Sequence, residues 1–140
     1  MQGKLKATWR PLAIAVALAV AGVASAADVK VELAGSQEVP PVNTQAKGSG
    51  TVTIGDDGSV KGSITYSGVA ATAAHIHTGA AGKNGPVIVP MTKSGDNGFT
   101  FAPGAKLSED QMKAFKAGDL YINVHSAANP GGEIRGQLKP

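Results

Sequence analysis

The chain has 140 residues, no cysteine, and 13 Lys or Arg against 10 Asp or Glu, for a formal charge of +3. Without cysteine there is no disulfide framework, no thiolate chemistry and no blue-copper ligation. Lys4, Lys6 and Arg10 supply the whole surplus of positive charge and no Lys/Arg cluster follows them, which excludes the concentrated basic face of a nucleic-acid binder.

Those three cations precede an apolar run from Pro11 to Val23, which ends in Ala24-Ser25-Ala26, a small-x-small pattern. Residues 1–26 therefore read as a secretory signal peptide cleaved before Ala27. The run is shorter than the ~20 residues of a spanning helix, and no cysteine follows to carry a lipid anchor. Residues 27–140 are expected to form one exported domain, periplasmic or secreted, with no membrane attachment after cleavage. Their stability must come from sheet packing, with a bound metal as a further support.

In chain order, Val29, Val31 and Leu33 alternate with Lys30, Glu32 and Ala34, the period-2 pattern of a half-buried strand. Gln37-Glu38-Val39-Pro40-Pro41-Val42 follows, where two prolines impose an extended, non-helical connection. Thr51 to Ile54 and Val60 to Tyr66 flank Gly55-Asp56-Asp57-Gly58, a hairpin whose turn residues tolerate positive φ. Further strands are expected at Ala73 to Thr78, Pro86 to Met91, Gly98 to Phe101, Leu120 to His125 and Glu133 to Leu138. One helix is expected at Ser108 to Lys116, with Ser108 and Gln111 as a capping box, Leu107 stapled to Met112, and Gly118 as terminator. The pattern is all-β: an antiparallel sandwich or Greek-key barrel of about eight strands with one short helix.

All three histidines lie in two of these strands, Ala74-His75-Ile76-His77-Thr78 and Tyr121-Ile122-Asn123-Val124-His125. Successive side chains of a strand point to opposite faces. His75 and His77 thus share one face, Tyr121, Asn123 and His125 share another, and the apolar residues of both phrases point the other way. If the strands are neighbours, three imidazoles converge away from the core, under small-residue loops at Gly79 to Gly85 and Ser126 to Gly132. Three neutral imidazoles without thiolate suit copper ahead of zinc, since copper has the higher intrinsic affinity for nitrogen donors. Water, Met91, Met112 or Glu38 are candidates to complete the shell, and Glu38 is also a candidate to orient a ring nitrogen. Arg135, the one arginine after the leader, is expected to face outward as a surface cation; its sharper reading is a guide for an anion beside a bound cation. Asp56 and Asp57 belong to a turn, and Glu109 and Asp110 to a helix start. No nucleophile elbow, phosphate loop or dinucleotide fingerprint occurs.

The distinctive phrases, in chain order, are Leu33 with Gly35 and Gln37-Glu38-Val39-Pro40-Pro41, Ala74-His75-Ile76-His77-Thr78-Gly79, Asn84-Gly85-Pro86, Gly118 to His125, and Asn129 to Gly136. In this order the chain resembles the CHRD domain, the chordin-type module of many bacterial exported proteins, across nearly all of residues 27–140. That resemblance implies an extracellular domain and allows a non-metal protein-interaction role with an unidentified partner. A weaker resemblance is to the copper half of Cu/Zn superoxide dismutase, which implies copper ligands at His75, His77 and His125 and an anion-attracting Arg135. No fourth histidine is present to bridge copper and zinc, and the zinc-ligand loop has no counterpart. The expectation is a mononuclear copper site for binding or handling, with a dismutase-like copper oxidoreductase as the enzymatic alternative.

Overall fold

The computed structural model describes residues 25–140 together with residues 3 and 11. The leader expected over residues 1–26 thus lies outside the described residues apart from Gly3, Pro11, Ser25 and Ala26. No helix among the described residues is long and apolar enough to cross a membrane.

The elements are β1 (Ala26–Ala34), β2 (Lys47–Gly55), β3 (Val60–Ser67), β4 (Ala71–Thr78), β5 (Val87–Pro90), β6 (Thr92–Ser94), β7 (Gly98–Thr100), α1 (Glu109–Lys116), β8 (Leu120–Ser126) and β9 (Ile134–Leu138). All nine strands belong to one antiparallel sheet in the order β5-β4-β8-β9-β1-β2-β3-β7-β6. Its two edge strands are consecutive in the chain, joined through Met91 alone, whose N–H reaches the Ala74 carbonyl of β4 at 3.0 Å. The sheet therefore curls into a nearly closed barrel. The expected all-β barrel is what forms, with one strand beyond the expected eight. That addition is β6, three residues long, which pairs with β7 across a turn containing Gly95.

Local chemistry accounts for the elements that position the site. In β1 the alternating Val29, Val31 and Leu33 are buried and Lys30 and Glu32 exposed. The β2–β3 turn closes as its sequence requires, with Gly58 at φ +86 and the Asp57 carboxylate accepting from the Ser59 N–H at 2.9 Å. Helix α1 starts with the expected capping box: Ser108 Oγ accepts from Gln111 N at 3.2 Å, and Gln111 Oε1 accepts from Ser108 N at 2.8 Å. Phe115 turns its buried side inward.

The barrel interior is apolar. Ala74 and Ile76 of β4, Leu120, Ile122 and Val124 of β8, and Ile134 and Leu138 of β9 are all 0% exposed. Alternation then obliges the same three strands to carry His75, His77, Tyr121, Asn123, His125, Arg135 and Gln137 on their outer face. Part of that polar face is covered by the segment that carries Glu38 to Thr44 and by the loops 79–86 and 127–132, so a second, polar layer sits over the barrel wall.

Candidate metal centre

The register of β4 against β8 builds the site. His77 stands opposite Tyr121, His75 opposite Asn123, and Ala73 opposite His125, so His125 lies diagonal to His75 on the same face. The ring centroids are 4.7 Å apart for His75 and His125, 5.6 Å for His75 and His77, and 5.7 Å for His77 and His125. One nitrogen of each ring lies within 4.8 Å of the others, a group that could hold a metal ion. His75 Nδ1 and His125 Nε2 approach to 3.0 Å. Two nitrogens held ~2.0–2.1 Å from one tetrahedral ion stand roughly 3.3 Å apart, so this spacing needs little adjustment.

The backbone decides which nitrogens are free. A carbonyl oxygen only accepts, so His77 Nδ1, 3.0 Å from the Gly85 carbonyl, carries the proton, and so does His125 Nδ1, 2.9 Å from the Pro130 carbonyl. In each neutral ring the lone pair then resides on Nε2. His77 is 7% exposed and its Nε2 is buried with no hydrogen-bond partner. Burial holds the His77 imidazole below its ordinary pKa, against the Gly85 hydrogen bond, with the neighbouring His125 charge lowering it further. His75 is lowered too, first by burial and then by His125 and His77. Both rings are thereby kept in the neutral form that a metal requires.

Tyr121 connects this cluster to the rest of the layer. Its ring, 2% exposed, stacks on His77 at 4.8 Å with 5° between planes, and the Arg135 guanidinium carbon lies 3.5 Å from its centroid. β4, β8 and β9 are adjacent in that order, so imidazole, phenol and guanidinium come from three neighbouring strands. The expected outward position of Arg135 is corrected here: it points away from the apolar core but is only 1% exposed, because loop 79–86 covers it. It donates to the Ala80 carbonyl at 3.0 Å, Asn84 Oδ1 at 3.3 Å and Gln137 Oε1 at 3.2 Å. The same loop is held by Gln137 Nε2 on the Gly79 carbonyl at 2.7 Å and by the Tyr121 hydroxyl, which accepts from Gly85 N at 3.1 Å. These contacts fix the carbonyl that orients His77.

Glu38 lies beside the cluster rather than in it. It is 4% exposed, and a side chain on Gly132 would collide with both its carboxyl and Asn123. Burial pushes its pKa up to about 7, against the lowering influence of Arg135 and of the neighbouring Asn123 amide. Glu38 Oε1, Asn123 Oδ1 and His77 Nε2 are the buried side-chain polar atoms left without partners among the described residues, and all three belong to this layer. Met91 is part of the apolar core and Met112 packs against it, which corrects the expectation that either completes a shell on the opposite face.

The turn that supplies the Pro130 carbonyl is held by Glu133, whose role the sequence did not disclose. Its carboxylate accepts from Ser126 Oγ at 2.8 Å, Asn129 Nδ2 at 3.1 Å and Thr44 Oγ1 at 2.9 Å. Burial opposes its ionisation, yet these three bonds together hold it below the usual carboxylate range. A carboxylate just ahead of a strand, with a Ser seven residues and an Asn four residues before it, was the available signal.

Residues 29–138 match the CHRD domain family. No curated protein and no solved structure matches the chain.

Proposed function

The chain belongs to the CHRD-domain family, a family of extracellular type, and from the centre built by its histidine phrases we propose that it is an exported protein that binds one copper ion and serves copper binding or handling. His75 through Nδ1, and His77 and His125 through Nε2, would hold the ion. The observation that carries this reading is the buried, partnerless Nε2 of His77, aimed by the Gly85 carbonyl and grouped with a nitrogen from each of two other histidines. An unpaired buried acceptor costs free energy, which a bound cation recovers. An all-imidazole donor set favours copper over zinc among common divalent ions. Bound copper would supply one-electron exchange, and the protein's own part is to orient the rings and to keep those of His75 and His77 neutral. Copper titration read by electron paramagnetic resonance tests this: one tight signal coupled to three nitrogens is expected, and that three-nitrogen signal should vanish in His75→Ala and His125→Ala. Unchanged affinity in both variants refutes the reading. A dismutase role is a separate matter, sunk if the loaded protein consumes superoxide no faster than trace copper alone.

A further inference from the structure

Resting on that metal reading, we infer that His75 is the exchange arm of the site: the ligand that lets go and returns when the ion passes to an acceptor, while His77 and His125 stay fixed. The three rings are not held alike. His77 and His125 each spend Nδ1 on a backbone carbonyl, Gly85 and Pro130 respectively. Each of those carbonyls lies in a loop itself tied down, by Tyr121 in one case and in the other by Ser126 and Asn129, which Glu133 holds. His75 has no such tether. Its ring makes one hydrogen bond among the described residues, to His125 Nε2 at 3.0 Å, and it is half-buried where His77 is fully buried.

Proton bookkeeping defines what that one bond does. His125 carries its proton on Nδ1, so its Nε2 accepts, and the proton between the two rings must sit on His75 Nδ1. Without an ion, the two nitrogens intended for it are therefore joined to each other. When the ion enters, the His75 proton moves to Nε2 through solvent, Nδ1 forms the new bond, and the ring stays neutral. On release the steps reverse and the His75–His125 bond re-forms behind the departing ion, shutting the site. His75 can swing without breaking any backbone contact, whereas moving His77 means dislodging loop 79–86 with Arg135, Gln137 and Tyr121. The acceptor this geometry fits brings one nitrogen or sulfur donor to the half-buried side of the site and takes the place of His75.

The test uses L-histidine as acceptor for copper from the loaded protein, followed by stopped-flow absorbance. In the wild type the transfer rate should rise with histidine concentration and level off at the rate at which His75 departs. His75→Ala should keep a two-nitrogen copper signal, transfer at least tenfold faster and lose the plateau, while His77→Ala should lose the ion outright. A His75→Ala variant with the wild-type rate and plateau overturns the inference and leaves the metal reading standing; a wild type that binds no copper overturns both. In the metal-free protein, nitrogen-15 spectra should show His75 protonated on Nδ1 and coupled across the bond to His125 Nε2. Finding the proton on His75 Nε2 overturns the gate without any metal measurement.

Discussion

Glu38 keeps its proton up to about pH 7 because burial outweighs the help that Arg135 and Asn123 give to its charge. The ordinary value is 4.5, so between pH 4.5 and about 7 the native state binds more protons than the unfolded chain, and the stability that Glu38 contributes falls as pH rises through that window. His75 and His77 act in the opposite sense. Their native values lie below 6.5, so the unfolded chain binds more protons and their contribution is lost as pH falls below that value. Comparing wild type with Glu38→Gln separates the two effects. In urea melts at pH 5 and pH 7.5, the variant should gain stability relative to wild type at the higher pH; a difference that does not change with pH refutes the assignment. The residue type alone announced none of this, because the burial of Glu38 is set by Gly132 and Asn123, which lie far along the chain.

At the scale of elements, loop 79–86 and the turn at 127–132 act as fixtures for rings mounted on strands. Gly85 has no room for a side chain, since a Cβ there would meet the Thr78 carbonyl. Gly85→Ala should displace the carbonyl that orients His77 and weaken copper binding by about 10- to 100-fold, the usual effect of losing an orienting partner. Ser108→Ala serves as its control: losing the α1 cap should cost about 1 kcal/mol in a thermal melt and leave copper affinity unchanged. If both variants bind copper alike, the loop does not position the ligand. Period-2 alternation put His75 and His77 on one outward face and His125 on the outward face of its own strand, the β4–β8 pairing made those faces one, and the capping box was legible as written. The loop closures were not, because they join residues such as Arg135 and Ala80, 55 positions apart, through carbonyls that every residue possesses. For the same reason Arg135 read as a surface cation, since the strand pattern shows which way it points but not what lies over it.

In the molecule as a whole, β4, β8 and β9 do two jobs at once, closing the apolar core with one face and carrying the polar layer with the other. The alternating apolar residues made the barrel foreseeable, and the brief β6 escaped because three residues between turns carry too little periodicity to register. The stacking of Tyr121 on His77 also has an optical consequence. The one tryptophan, Trp9, falls in the expected leader, so emission from residues 27–140 comes from Tyr66 and Tyr121 alone. Tyr66 packs against Phe99 on β3 and β7, whereas Tyr121 lies face to face with the His77 ring, one of the three proposed ligands. Copper should therefore darken the fluorescence of the Tyr66→Phe protein lacking residues 1–26, leave that of Tyr121→Phe almost untouched, and do nothing to a His77→Ala variant. The fold has placed a lamp against the socket, and its dimming reports when the socket is filled.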